Sequence, residues 1–173
     1  MRGRVTNRIA NNWNKRTPMK TIQAAEREII ETFESLDTID EKYAHLFQLG
    51  ESLPPMDPAL KTEDNLVKGC QSSLWFYLHQ EGCRFSLVAD SDSMVIKGIS
   101  ALLVQLIEGR TAQEILAINM DFIDKINIWK LASERNSGLM AMLDHIHSLA
   151  HFEQVAKTTP TDRSTQEDQL SPA

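Results

Sequence analysis

The segment Met94–Ile107 constrains the fold most, because it is apolar on nearly every side of a helix. Short polar residues at 90–93 precede it and suit a helix N-cap, and Gly109 follows it. A helix without a polar face must be covered by other elements, so we expect it at the centre of the fold. Polar interruptions at Lys97 and Gln105, and a length below the roughly 20 residues of a membrane span, favour a core helix.

Other segments carry helix signals of their own. An apolar stripe at spacings of three and four predicts a first helix, formed around Ile22, Ala25, Ile29, Phe33 and Leu36. Capping boxes at 38–41 and 111–114 predict the starts of two more helices, and Gly50 predicts the end of the first of these. A long amphipathic helix is predicted from near Gly138.

Between the second and the central helix the pattern changes to that of strands. Residues 73–80 (SLWFYLHQ) and 84–89 (RFSLVA) predict a hairpin that turns at 81–82, and 65–68 predicts a short third strand. Prolines make 51–64 a loop. We therefore predict an α+β fold, with a small antiparallel sheet of about three strands packed against helices.

Charge and composition divide the chain into three parts. Residues 1–20 contain six Lys or Arg, no acid and no helical periodicity, which predicts a basic disordered extension; a transit peptide is the alternative. Residues 157–173 have Leu170 as their one large apolar residue and predict a disordered polar tail. The domain is expected at 21–156. Removing the six basic residues from the 18 in the chain leaves 12 against 24 acidic ones, which argues against nucleic-acid binding.

The cysteine usage favours a reducing compartment. Cys70 and Cys83 are the two cysteines, and no hydrophobic signal peptide is recognisable, so we expect a cytoplasmic protein. No CxxC spacing is present, and the histidine pair His147 and His151, which lies i, i+4 on the last helix, is insufficient for a metal site. No metal or cofactor site is therefore predicted.

Cys70 is the strongest candidate for a chemically reactive residue. It follows Gly69 and precedes three polar residues, which places it in a turn between strands. A reachable thiolate can attack a disulfide or persulfide sulfur, so Cys70 is a candidate nucleophile, although an unreactive cysteine at a strand edge is an equally good interpretation. Cys83 follows a turn glycine, begins the second predicted strand and is interpreted as incidental or structural.

Three motifs together resemble the SufE family, the activators of SufS-type cysteine desulfurases. Residues 65–75 (NLVKGCQSSLW) resemble its cysteine-loop signature, 89–98 (ADSDSMVIKG) its acidic turn and following helix, and 134–142 (ERNSGLMAM) its C-terminal arginine motif. Residues 41–50 and the Leu-Pro pair at 53–54 also fit. The resemblance runs from about residue 33 to 149, with the motifs in the same order and at similar spacing.

The resemblance implies a fold related to iron–sulfur scaffold domains, with Cys70 as persulfide acceptor. It also implies that Asp92 is the acidic residue beside the cysteine loop and that Arg135 belongs to the partner interface or sulfur environment. The implied partners are a SufS-like cysteine desulfurase, which carries the pyridoxal phosphate, and a SufBCD-like scaffold. This chain would be a monomeric accessory carrier without a cofactor and not a free-standing enzyme. Nothing in the sequence separates the SufS-type from the CsdA-type branch.

Two other functions stay open. One is a binding module that regulates a desulfurase or scaffold without accepting sulfur. The other is a redox sensor in which Cys70 and Cys83 form a disulfide. No membrane partner is expected.

Overall fold

The computed structural model describes residues 20–70, 72–118, 121–128 and 136–158, with side chains in the last range described for 140–151. These residues form six helices and one antiparallel hairpin: α1 (Ile22–Glu34), α2 (Ile39–Ser52), β1 (Leu74–Glu81), β2 (Arg84–Ser91), α3 (Met94–Ile107), α4 (Ala112–Leu116), α5 (Asp121–Ile126) and α6 (Asn136–Thr158). Pro58–Leu60 form a single 3₁₀ turn between α2 and β1. The α+β prediction is confirmed. The predicted extension at 1–20 lies outside these residues except for Lys20, and the predicted tail at 157–173 lies outside them beyond residue 158.

Helix α3 is the central element, as its all-round apolar character predicts. Its bounds are the predicted ones, and Ser93 caps its N-terminus by accepting a hydrogen bond from the amide of Ile96. The residues buried along α3 lie on several of its sides: Gly98, Ile99, Ser100, Ala101, Leu102, Leu103, Leu106 and Ile107. Helix α2 and strand β2 cover much of this surface, and together with α1 they bring Phe33, Leu46, Leu87 and Ala89 into the core.

Helices α2 and α3 cross at two glycines. A Cβ on Gly98 would lie 2.2 Å from the carbonyl oxygen of Leu46, and one on Gly50 would lie 3.1 Å from the amide nitrogen of Gly98. Glycine therefore lets the two backbones approach directly. This contact also explains why the predicted end of α2 at Gly50 is wrong: Gly50 is a packing residue, and the helix continues to Ser52.

The hairpin has the predicted strands, but its turn lies one residue later. Glu81 pairs with Arg84, so Gly82 and Cys83 form the two-residue turn, with Gly82 at a φ of 64°. A two-residue hairpin turn of this kind needs positive φ, which glycine adopts without strain. Cys83 thus lies in the turn and does not begin a strand.

The predicted third strand at 65–68 is reduced to one bridge. Leu66 pairs with Trp75 on the outer side of β1, and no further pairing of this segment is present among the described residues. The pairing ends because Gly69, at a φ of 92°, turns the chain away. On the other edge, Phe85 forms a similar bridge with Arg110.

Local helix signals are confirmed at three more places. Both capping boxes form, Thr38 with Glu41 and Thr111 with Glu114. The final helix begins at Asn136, two residues before the predicted start near Gly138. Helix α5 was not predicted. None of the helices in the described ranges is both long enough and apolar enough to cross a membrane.

Candidate functional site

Cys70 lies on a loop whose two ends are joined by backbone hydrogen bonds. At the Leu66–Trp75 bridge, the amide of Val67 donates to the carbonyl of Leu74 and the amide of Phe76 donates to the carbonyl of Asn65, each at 2.8 Å. We call residues 67–70 and 72–74 the cysteine loop. The two ends of the loop are therefore held together at the start of β1.

The tip of the cysteine loop rests against α6. A Cβ on Gly69 would lie 3.5 Å from that of Ala141, and the positive φ of Gly69 is a conformation that L side chains rarely adopt. Cys70 is half-buried and packs against the hydrophobic core. The thiol is therefore partly covered and less exposed than a turn position predicts, whereas Cys83 is exposed.

The acidic turn contacts the cysteine loop at Ser73. The carbonyl of Ser73 accepts hydrogen bonds from the Ser91 hydroxyl at 2.9 Å and from the Asp92 amide at 3.2 Å. The Ser91 hydroxyl also accepts a hydrogen bond from the amide of Ser93. Asp92 itself is exposed. The backbone contacts thus link Asp92 to the strand-side end of the loop, and the role of its carboxylate stays a prediction.

A charge cluster around the buried side chain of Asp90 lies beside this site and was not predicted from the sequence. One carboxylate oxygen of Asp90 lies 2.7 Å from Nζ of Lys61, and the other lies 3.0 Å from Nζ of Lys97. We call Lys61, Asp90 and Lys97 the Asp90 cluster. Burial alone would raise the pKa of Asp90, but the hydrogen bonds from the two lysines outweigh it and hold that pKa below its ordinary value.

Sequence patterns do not predict the burial and ion pairs of Asp90. Strand alternation puts Phe85, Leu87 and Ala89 on the core face, so Asp90 should face outward. It is buried nevertheless, because Lys61 of the proline-containing loop reaches it. An Asp-Ser-Asp turn is a good helix-capping signal, and the neighbouring Ser93 does cap α3. Because capping explained these residues, the ion pairs of Asp90 were not predicted.

A cleft of about 450 Å³ separates the start of the cysteine loop from α6. It is lined by Glu63, Asp64, Leu66, Lys68, Ala141, Asp144, His145 and Ser148. Nε2 of His145 is buried and has no hydrogen-bond partner within the described part of the chain, and burial lowers the pKa of this imidazole. The ring of His145 lies 6.5 Å from that of Phe76, centroid to centroid.

The other candidate residues separate into two groups. Arg135 lies outside the described residues, so its predicted role stays a prediction. A ring nitrogen of His147 lies 3.2 Å from the carbonyl oxygen of Ile118, which gives that histidine a structural contact. Across the described ranges, no three His, Cys, Asp or Glu side chains are grouped so that they could hold a metal ion.

The two thiols lie at opposite ends of β1. Cys70 precedes the strand and Cys83 follows it, so eight residues in extended conformation separate them. At about 3.3 Å per residue the separation is roughly 25 Å, whereas a disulfide needs Cα atoms within about 7 Å. An intramolecular Cys70–Cys83 disulfide therefore does not fit this fold, and the redox-sensor hypothesis loses its geometric basis.

Comparison with known proteins agrees with the resemblance. The sequence model of the SufE family, described as an Fe–S metabolism associated domain, matches residues 27–150. The chain belongs to the SufE family. This membership associates it with iron–sulfur metabolism, and the cysteine loop and Asp92 both lie in the matched range.

Two SufE-like relatives differ in how much of their own length is matched. A SufE-like protein 1, chloroplastic/mitochondrial, of Arabidopsis thaliana is 36% identical over 130 residues, which are 73% of this chain but 34% of that protein. An uncharacterized SufE-like protein of Rhizobium meliloti is 32% identical over 129 residues, which are 71% of this chain and 92% of that protein. The chain thus spans about a third of the Arabidopsis relative and nearly all of the Rhizobium one.

A solved structure supports the same fold. The solution structure of a hypothetical protein from Thermus thermophilus superposes with a TM-score of 0.64 at 20% identity. The superposition covers 76% of this chain and 96% of that chain. The chain therefore has the same α+β fold as that solved structure.

Proposed function

We propose that this SufE-family protein accepts a persulfide sulfur on Cys70 from a SufS-like cysteine desulfurase. The observation that carries the proposal is the placement of Cys70 on a loop with paired ends, half-buried against the core. Such a loop presents one thiol to a partner while its surroundings shield a sulfur already bound.

The transfer is a thiol–persulfide exchange. The Cys70 thiolate attacks the terminal sulfur of the partner's persulfide, and a new sulfur–sulfur bond forms at Cys70. The bond between that sulfur and the partner's cysteine breaks, and its electron pair leaves with the partner's thiolate. Electrons balance without an added oxidant. Removing sulfur in this way regenerates the desulfurase and raises its turnover.

The other parts of the proposal follow from family membership. Asp92 lies beside the loop and Arg135 belongs to the partner interface or sulfur environment. The sulfur passes on to a SufBCD-like scaffold, and the pyridoxal phosphate belongs to the desulfurase. The chain itself is an accessory carrier that works as a cytoplasmic monomer without a cofactor, through its domain at 21–156.

A stimulation assay tests the mechanism. Cysteine turnover by a SufS-type desulfurase is measured with reductant, adding wild type, Cys70→Ser or Cys83→Ser. We expect stimulation by wild type and by Cys83→Ser, and none by Cys70→Ser. Normal stimulation by Cys70→Ser would overturn the acceptor role and favour a regulatory binding module.

A further inference from the structure

Three donors satisfy the Asp90 carboxylate. Besides Lys61 and Lys97, the amide of Ser91 donates to it at 3.0 Å. The Asp90 side chain is 12% exposed and that of Lys97 is 19% exposed, so these two groups are largely removed from water, whereas the side chain of Lys61 is 33% exposed. Charge-assisted hydrogen bonds in such surroundings are stronger and more directional than surface ion pairs.

The two lysines come from different parts of the fold. Lys97 lies in the first turn of α3, the central helix of the domain. Lys61 lies directly after the 3₁₀ turn, and its Nζ is also 5.1 Å from the ring centroid of Trp75, a cation–π distance. The same carboxylate therefore joins the core helix on one side and a surface segment on the other.

That surface segment leads into the cysteine loop. We call residues 61–66 the lead-in segment. Nδ2 of Asn65 donates to the carbonyl of Leu60 at 2.7 Å, and Leu66 forms the bridge that closes the cysteine loop. Lys61 holds the start of the lead-in segment on Asp90, and the bridge holds its end on Trp75. Trp75 and Asp90 are themselves paired across the hairpin, so both attachments meet at one place.

We infer that Lys61 is a positioning residue that holds the lead-in segment on Asp90 and Trp75 and so keeps Cys70 packed against the core. This inference rests on the proposed function and names the contact that would govern access to the acceptor sulfur. Breaking the Lys61–Asp90 pair frees one attachment of the lead-in segment, and Cys70 leaves its packed position more often. Lys97 touches the same carboxylate but not the lead-in segment.

A purely stabilising ion pair predicts a different result. If the Asp90 cluster only added stability, loss of either lysine would loosen the domain to a similar extent. Lys61→Met and Lys97→Met are therefore matched variants: each removes one ammonium from the same carboxylate and keeps an apolar stem of similar length. Urea unfolding of both variants establishes that they are folded under the assay conditions.

The test is alkylation of the isolated full chain by iodoacetamide, followed at each cysteine by peptide mass. Exposed Cys83 serves as the internal reference for reagent and thiol chemistry. We expect Lys61→Met to raise the Cys70 rate relative to Cys83 about fivefold, equivalent to about 1 kcal/mol at 1.4 kcal/mol per factor of ten. Lys97→Met should change it less than about twofold on the same scale.

The pH profile separates access from ionisation. Greater access raises the alkylation rate of Cys70 on the high-pH plateau, whereas a change in thiol ionisation shifts the profile along the pH axis and leaves the plateau alone. An unchanged plateau in Lys61→Met, or an equal rise in Lys97→Met, overturns the inference. Because no desulfurase is present, this outcome is independent of whether Cys70 accepts sulfur.

Discussion

The crossing of α2 and α3 predicts a large and unequal effect of two alanine substitutions. In Gly98→Ala the new Cβ would lie 2.2 Å from the Leu46 carbonyl oxygen and 2.8 Å from the Leu46 carbonyl carbon. Both atoms belong to the backbone, so no side-chain rotation relieves the overlap. The two helices must separate by roughly 1 Å to reach ordinary contact distances.

The expected change in the free energy of unfolding of Gly98→Ala combines two opposing effects. Overpacking in a well-packed core costs typically 1–3 kcal/mol, and contact with backbone argues for about 3. Alanine is a better helix former than glycine by about 1 kcal/mol. The net loss for Gly98→Ala is therefore about 2 kcal/mol, which lowers Tm by roughly 4–8 °C for a domain of this size.

Gly50→Ala is the matched control. Its Cβ would meet the Gly98 amide nitrogen at 3.1 Å and the Met94 carbonyl oxygen at 3.2 Å, so shifts of a few tenths of an ångström suffice. The gain in helix propensity offsets much of that cost, and the free energy of unfolding should stay within about 1 kcal/mol of wild type. Urea and thermal unfolding followed by far-UV circular dichroism measure both variants. Equal stabilities of Gly98→Ala and wild type would refute the close crossing.

Three further predictions concern titration and thiols. Burial lowers the pKa of His145, so the unfolded chain binds a proton more readily than the folded chain, and the free energy of unfolding falls as pH drops from about 7 to 5. His145→Leu should reduce this fall by up to about 1 kcal/mol, measured by urea titration at each pH. Burial raises the pKa of Glu108 more than the charge of His79 lowers it, so the ionised carboxylate is less favourable in the folded chain than in the unfolded chain. Glu108→Gln should therefore be more stable at pH 7 by less than about 1 kcal/mol, and the difference should vanish below about pH 4 in the same measurement. Under mild oxidant the full chain should form no Cys70–Cys83 disulfide, and Cys83→Ser should leave the non-reducing gel mobility unchanged.

The parts of the fold that local sequence determines were predictable. Helix α3 could be placed because no side of it is polar, and the capping boxes at Thr38 and Thr111 need only residues three positions apart. The end of α2 was not predictable, because Gly50 serves a contact with Gly98, a residue 48 positions later. A glycine used for packing has the same sequence signature as one that ends a helix.

In the candidate site, too, features set by neighbouring residues were predictable and features set by tertiary contacts were not. The turn at Gly69 was predictable from its neighbours in sequence, and the nucleophilic role of Cys70 stays a prediction. The partial burial of Cys70 was not predictable, because it depends on packing against core residues that are distant in sequence. The Asp90 cluster joins residues from three separate segments, and the bridge at Leu66 replaces a predicted strand, so both depend on tertiary structure that single-sequence patterns do not contain.

The central claim is that Cys70 receives sulfur, and one mass measurement tests it directly. The full chain and its Cys70→Ala variant are incubated with an active SufS-type desulfurase and cysteine, without reductant, and intact masses are recorded. We predict that wild type gains the mass of a sulfur atom and that Cys70→Ala does not. A gain on both proteins, or on neither while the desulfurase turns over, would contradict Cys70 as the acceptor.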